Sequence, residues 1–345
     1  NRTKVETLVD FNGSHILSID QFDRSDIDRL FSVADDLEPY SSRKKVTRVL
    51  EGAILGNMFF EPSTRTRISF GAAFNLLGGA VRETTEVGTS SLIKGESLID
   101  TAQVLSSYSD IIVMRHPDED SVKSFSEASR VPVINGGDGS NEHPTQALLD
   151  LFTIKKELKA KKKTIDGLRI ALVGDLKFGR AVHSLSKILC LYEGVTINLI
   201  SPKELKLPNS YMDLLTKAGI KITQSENLED GITEVDIIYM TRIQEERFKD
   251  KSDAKKYKGL LSLNKEIYTA NCEPNTVIMH PLPRDSRKEA NELDSDLYEN
   301  PNLAIFRQAD NGLVIRMALF SLVLGVADQI HKTSRTVNWH TSKGH

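Results

Sequence analysis

The segment Phe60–Arg67, FEPSTRTR, places the hydroxyls of Ser63, Thr64 and Thr66 among two arginines, Arg65 and Arg67, directly after Glu61 and Pro62. Ser63 behind a proline predicts a helix N-cap, with Thr64 and Thr66 in the first turn. Capping needs one hydroxyl and does not account for the arginines, because cations at a helix N-terminus oppose the dipole. First-turn amides, hydroxyls and a forked guanidinium together make an anion site suited to phosphate. Arg65 and Arg67 stand roughly 200° apart around a helix, so one of them faces the anion.

Other segments could complete such a site. MRHP (Met114–Pro117) ends an apolar run, and ligands of open α/β sheets bind beyond the carboxyl ends of strands, so Arg115 is either a reach toward the same anion or a surface ion pair. GGDGSNEHPTQALLD puts His143 and Gln146 around a helix start with Pro144 at its first position; His143 reads equally as a ligand or as a capping histidine. GTSSLIKGES (Gly88–Ser97), with Ser90, Ser91 and Lys94, is either a lid or a plain loop. In the second half, LVGDLKFGRAVHSL passes from a strand through a glycine-bounded turn into a helix, with Arg180 near its start and Lys177 and His183 close by. It matches neither common phosphate-loop pattern. MTRIQEER sets Arg242 and Gln244 just after a strand, and MHPLPR ends another with two prolines around Leu282, whose rigidity fixes the intervening carbonyls. The sequence contains no HExxH motif, nucleophile elbow or paired catalytic carboxylates.

Short apolar runs alternating with amphipathic segments must position these residues, the pattern of parallel α/β units. Strands are expected at 53–60, 80–84, 111–114, 131–135, 168–173, 196–200, 220–224, 237–240 and 277–279. Helices are expected at 20–37, 64–77, 97–108, 119–128, 144–158, 180–191 and 209–217, and a long one at about 308–330. The run Lys155–Gly167, KKELKAKKKTIDG, reads as a charged seam between two series of units, its lysines solvated. The last fifteen residues lack periodicity and are expected to be disordered.

The chain's 345 residues suit two domains, with 39% hydrophobic and 27% charged residues as in ordinary soluble proteins. A net charge of −3 and pI near 6.3 give no footprint for nucleic acid, so any anion must be attracted locally. No run is long and apolar enough for a membrane span; the stretch Val314–Ala327 is interrupted by Arg316 and Ser321 and reads as a buried helix. Cys190 and Cys272 have no metal-ligand or disulfide spacing, which fits a reducing compartment. A cytoplasmic location is expected, or an organelle matrix if a targeting segment once preceded Asn1.

Seven segments in order, FFEPSTRTRISF, SLIKGESLIDT, VMRHP, EHPTQALLDLFTI, GDLKFGRAVHSL, MTRIQEER and HPLPR, resemble the aspartate/ornithine carbamoyltransferases, and among them the catalytic chains of the aspartate-specific branch, over roughly Ser18 to Ile330. The resemblance implies two domains, each a mostly parallel sheet flanked by helices, with the C-terminal helix packing back on the first. Residues 1–149 plus about 305–330 would bind carbamoyl phosphate, residues 150–304 would bind aspartate, and 331–345 would be the tail. It implies that Ser63, Thr64, Arg65 and Thr66 hold the phosphate, and that Arg115, His143 and Thr66 contact the carbonyl oxygen. Gln146 and the Leu282 region would hold the amide, with the Pro281 carbonyl near the attacking amine. Arg180, Arg242 and Gln244 would grip the carboxylates of L-aspartate, with Lys94 in reach. Ser90, or its neighbour Ser91, and Lys94 would enter from the next subunit of a homotrimer, and Glu61 would join Arg180 and Arg247 on domain closure. Neither metal nor organic cofactor is implied, and regulatory chains are admitted as further partners. Family members acting on ornithine carry a cysteine where Pro281 stands, and Arg180 with Arg242 suits a dicarboxylate, so the expected product is N-carbamoyl-L-aspartate rather than a carbamoylated ornithine or other amine. A catalytically silent assembly chain is the remaining reading, disfavoured because every motif position holds the expected residue type.

Overall fold

A computed structural model describes residues 10–84, 95–287 and 289–339. The chain forms two compact units, Asn1–Leu148 with Asp310–His345, and Leu149–Ala309.

In the first unit, α1 (Arg24–Ser41) starts at a reciprocal cap in which the Asp23 and Asp26 carboxylates each accept the other's backbone N–H. The short β1 (Lys45–Val46) follows, then β2 (Ile54–Phe59), α2 (Thr64–Leu76), β3 (Ala80–Thr84), α3 (Leu98–Leu105), β4 (Ile111–His116), α4 (Ser121–Ala128) and β5 (Val133–Asp138). Their sheet is wholly parallel in the order β3-β2-β4-β5. The middle strands read as continuous apolar runs because both faces are covered. On one face Met58, Phe60, Ile112, Met114 and Val133 pack against Ala102, Val122 and Phe125 of α3 and α4. Helix α5 (Pro144–Ala160) leads into the second unit.

There β6 (Arg169–Val173), α6 (Arg180–Leu189), β7 (Thr196–Ile200), α7 (Asn209–Lys217), β8 (Lys221–Ser225), α8 (Leu228–Gly231), β9 (Ile237–Met240), α9 (Lys251–Ala254), α10 (Lys265–Asn271) and β10 (Val277–Met279) build a second all-parallel sheet, order β10-β9-β6-β7-β8. The order turns back on itself between β9 and β7 on either side of β6, the kind of switch point beyond which ligands bind. Helix α11 (Ile305–Val323) carries the chain back to the first unit, where Phe320 meets Phe70 and Phe74 of α2 edge-on at 6.0 and 5.0 Å.

All nine expected strands and eight expected helices form, with ends shifted by a few residues. Several expectations are corrected. The last helix stops at Val323 because Gly325 turns left-handed at φ +67°, and a 3₁₀ segment, Ala327–Thr333, takes over. The tail is not simply disordered: β11 (Arg335–Thr336) pairs antiparallel with β1, and Thr333 bonds Thr47 at 2.7 Å and the Arg48 N–H at 3.1 Å. The lysine seam is likewise not wholly solvated, since Lys163 Nζ lies 2.5 Å from the buried Asp236 carboxylate. The units divide inside α5 between Leu148 and Leu149, ahead of the lysine seam and within one residue of the 149/150 division the resemblance implies. Among the described residues no single helix is long and apolar enough to cross a membrane.

Candidate active site

In the first unit the carboxyl ends of β2, β4 and β5 deliver the phosphate-type residues to one edge of the sheet. Ser63 stands at the N-cap position of α2, but its side chain makes no capping bond; its hydroxyl accepts from Arg115 Nη1 at 3.1 Å, a correction to the expected cap. Thr64, Arg65 and Thr66 fill the first turn, whose amides no helix can satisfy from within. Arg67 is committed elsewhere: it pairs with Glu83 on β3, and Asn57 Nδ2 donates to both the Arg67 carbonyl, at 3.1 Å, and Glu83, at 2.9 Å. Arg65 is the more exposed of the two.

Arg115 is aimed by its strand and its neighbours. It lies beside Phe59 in register, and the β4–β5 pairing shifts between Met114 and His116, an irregularity that re-aims a side chain. Its Nε donates to Glu61 at 2.9 Å, so one guanidinium bridges Glu61 and Ser63 with only 11% of its side chain exposed. The ion pair is therefore present, and it is buried rather than at the surface.

His143 is set by the turn that follows β5. The buried Asp138 carboxylate accepts from Asn135, Asn141 and the N–H groups of Asp120 and Glu142, while Glu142 accepts from Ser18 Oγ at 2.8 Å and Ile19 N–H at 3.0 Å. The His143 carbonyl then accepts the Gln146 and Ala147 N–H groups, starting α5 at Pro144 as the sequence predicts. The imidazole is 5% exposed, and burial, with the positive charges of Arg115 and Arg316, holds its pKa well below the usual 6.5. It is neutral at physiological pH and keeps one N–H donor.

Arg316 is one residue whose contacts sequence reasoning missed. It reaches from α11 to Ser69 Oγ at 2.9 Å, lies over the Phe70 ring at 4.8 Å and is 4% exposed. The signal was a lone arginine within the apolar run Val314–Ala327.

The second unit gathers the other set at its own strand ends. Gly174, φ +117°, follows β6 so closely to Thr241 that an added Cβ would stand 2.2 Å from that residue's carbonyl oxygen. The next residue, Asp175, is fully buried and fastens two loops: one oxygen accepts the Phe178 N–H and the other the Gln244 N–H, both at 3.0 Å. Phe178 and Phe248 add a ring contact at 5.3 Å between the same loops. Arg180 opens α6 on one loop; Arg242, Gln244 and Arg247 lie on the other. Arg242 holds the Glu246 carboxylate with both terminal nitrogens, at 2.5 and 3.1 Å. Burial works against this guanidinium's charge, but Glu246 outweighs it and raises the pKa. Such a fork on a carboxylate is the geometry an amino-acid carboxylate would require. Beyond β10, Pro281 and Leu282 are half-buried, with Leu282 at φ +56° before a cis bond to Pro283. His183 is structural: its ring nitrogen meets the Leu176 carbonyl at 3.0 Å and it stacks on Tyr211 at 4.4 Å. Ser90, Ser91 and Lys94 lie outside the described residues.

Residues 14–156 match the profile of the aspartate/ornithine carbamoyltransferase carbamoyl-P binding domain, and residues 166–323 that of the Asp/Orn binding domain. The chain belongs to the aspartate/ornithine carbamoyltransferase family. Among carbamoyltransferases it is 65% identical to the aspartate carbamoyltransferase catalytic subunit of Saccharophagus degradans, over 96% of this chain and 99% of that one. It is 67% identical to that of Cellvibrio japonicus, over 97% and 99%. The fold superposes on aspartate transcarbamoylase from Trypanosoma cruzi in complex with carbamoyl phosphate and aspartate with a TM-score of 0.84, at 35% identity over 93% of this chain and all of the other (100%). The catalytic subunit of the M. jannaschii enzyme gives 0.81 at 43% identity, covering 92% and 99%. The two carbamoyltransferase profiles thus divide the site residues as the two sheets do, with the phosphate-type set in one and the carboxylate-type set in the other.

Proposed function

We propose that the chain transfers the carbamoyl group of carbamoyl phosphate to the amine of L-aspartate, releasing N-carbamoyl-L-aspartate and phosphate. The observation that carries this reading is the Arg115 guanidinium bridged between Glu61 and Ser63, at the first turn of α2, its charge helping burial to keep His143 neutral. Ser63, Thr64, Arg65 and Thr66 hold the phosphate; Arg115, Thr66 and His143 hold the carbonyl oxygen, and Gln146 the amide. Aspartate's neutral amine attacks the carbamoyl carbon, the new C–N bond forms, and the electron pair moves onto the carbonyl oxygen. The C–O bond to phosphate then breaks, and the amine proton departs with the phosphate. Bringing two reactants together can lower a barrier by roughly 7 to 11 kcal/mol, and each donor on the developing oxyanion is worth about 10² to 10³ in rate. No covalent intermediate is needed.

Aspartate is favoured over ornithine because two arginines, Arg180 and Arg242, suit a dicarboxylate rather than a cationic side chain, and because Pro281 stands where ornithine-specific members carry cysteine. Phosphate release on mixing carbamoyl phosphate with aspartate, with each omitted in turn and ornithine substituted, tests the reading: release with ornithine alone would overturn it. We further propose a homotrimer in which Ser90 and Lys94 complete a neighbour's site. The apolar outer residues of and beside α3, Ile99, Val104 and Tyr108, exposed by 59%, 45% and 64%, support such contacts. Sedimentation of the whole chain reads the subunit number, and a monomer with full activity would refute the shared site. Pyrimidine biosynthesis in the cytoplasm and association with regulatory chains are the biological setting this reading suggests.

A further inference from the structure

We propose that His280 is a positioning residue for the carbamoyl transfer: with Glu292 it locks the Pro281–Leu282–Pro283 turn so that the turn's backbone carbonyls are fixed before substrate arrives. The inference rests on the proposed function together with the family resemblance, which implies that the Leu282 region holds the amide and that the Pro281 carbonyl lies near the attacking amine.

His280 follows β10 and is 1% exposed, and Glu292 is 6% exposed. Leu282 N–H donates to His280 Nδ1 at 2.9 Å. That bond needs the lone pair on Nδ1, so the proton of the neutral ring resides on Nε2, which donates to Glu292 Oε1 at 2.8 Å. Burial lowers the imidazole pKa, against the pull of Glu292, in keeping with a neutral ring. The same Glu292 carboxylate accepts the Asp285 N–H at 2.9 and 3.2 Å. One buried acid thereby holds both ends of the turn, through His280 on one side and Asp285 on the other. Leu282 sits at φ +56°, a conformation that favours glycine and that a leucine keeps only when its surroundings impose it. Its N–H bond to His280 is the imposed restraint.

A second chain of bonds anchors the ring's own backbone. His280 N–H donates to Gln308 Oε1 at 2.9 Å, Gln308 Nε2 donates to Asp150 Oδ1 at 2.6 Å, and Tyr239 OH donates to Asp150 Oδ2 at 2.6 Å. The charge of Arg242 is felt at His280 and that of Glu292 at Arg242, so the lock borders the carboxylate grip.

Two substitutions separate positioning from simple packing. His280→Asn keeps an acceptor near the Nδ1 position and loses the reach to Glu292; His280→Gln does the reverse. In the whole enzyme at saturating carbamoyl phosphate, His280→Gln is expected to lower kcat on the order of 10²-fold, the cost of a misplaced reacting group, with the affinity for inorganic phosphate unchanged. His280→Asn, which keeps the bond to the Leu282 N–H and gives up only the Glu292 brace, should lose less. Equal losses in both variants, or no loss in either, would overturn the proposal. The imidazole ¹⁵N spectrum of the unsubstituted protein gives an independent readout: a proton on Nε2 alone is expected, and a proton on Nδ1 overturns the lock even if the variants fail to fold. If the unsubstituted chain releases no phosphate with aspartate, the functional reading fails instead, and the ¹⁵N spectrum still decides the lock.

Discussion

Asp175→Asn separates the geometry of the carboxylate grip from its charges. Asp175 is fully buried and receives the N–H groups of Phe178 and Gln244, each at 3.0 Å, beside a further backbone bond from Lys177. Asparagine can accept only one of them and turns an N–H toward the other. The loss is that of a hydrogen bond to a charged group, about 1.5–3 kcal/mol. The loop bearing Arg242 and Gln244 is then released from the one bearing Arg180. If that energy is spent holding the loops in the binding arrangement, it corresponds to roughly 10- to 150-fold in aspartate KM, at about 1.4 kcal/mol per factor of ten. Global stability follows a different sign. Burial raises the Asp175 pKa, so the fold disfavours its ionised form, and wild-type stability falls as pH rises from the unfolded-state value through the raised folded one. The variant lacks that decline. Initial rates against aspartate at saturating carbamoyl phosphate, paired with thermal melts across pH, read both effects. An aspartate KM indistinguishable from the parent's in a folded variant would refute the reasoning, and so would a KM for carbamoyl phosphate that rises in step.

Arg65→Ala should lower turnover on the order of 10²- to 10³-fold while leaving the fold intact, checked by steady-state kinetics beside circular dichroism; Arg67→Ala, which breaks the Glu83 pair instead, should cost stability more than turnover. Arg316→Met removes one of the charges that hold the His143 pKa down, so the acid limb of the pH–rate profile should move to higher pH; an unmoved limb counts against a neutral His143 in the reaction. Asp236 is held below the usual carboxylate range because Lys163 and Arg169 outweigh the cost of its burial, so it stabilises the fold above pH of about 4 and loses that contribution as pH falls through its folded value. Asp236→Asn should flatten the acid end of the stability curve by about 1 kcal/mol, both cations being largely in solvent, as measured by urea melts at several pH values. Cys272, whose thiol burial pushes up to about 12, should resist alkylation at pH 8 in the folded chain; rapid labelling would contradict that burial.

Most of the fold was legible because buried parallel strands leave unbroken apolar runs, such as Ile237–Met240 and Val277–Met279, whose limits the structure reproduces. The helix Lys265–Asn271 was overlooked although Asn264 caps it through the Ile267 N–H, since seven residues carry too little periodicity. At the site, residue types were readable and partners were not. Ser63 looked like a cap because its backbone position is one, while its hydroxyl is drawn to an arginine fifty-two positions along the chain. Arg67 pairs with Glu83 on a neighbouring strand, which no local pattern reveals. Asp175 and Arg316 act through contacts distant in sequence, and only the oddity of an arginine in an apolar helix hinted at the second.

A crystal of the protein with N-(phosphonacetyl)-L-aspartate, which joins a phosphonate to the aspartate skeleton, tests the central claim most directly. The phosphonate should lie on Ser63 through Thr66 with Arg115 on the carbonyl oxygen, and the two carboxylates on Arg180 and Arg242. A phosphonate bound anywhere else, with the first turn of α2 empty, would contradict the account.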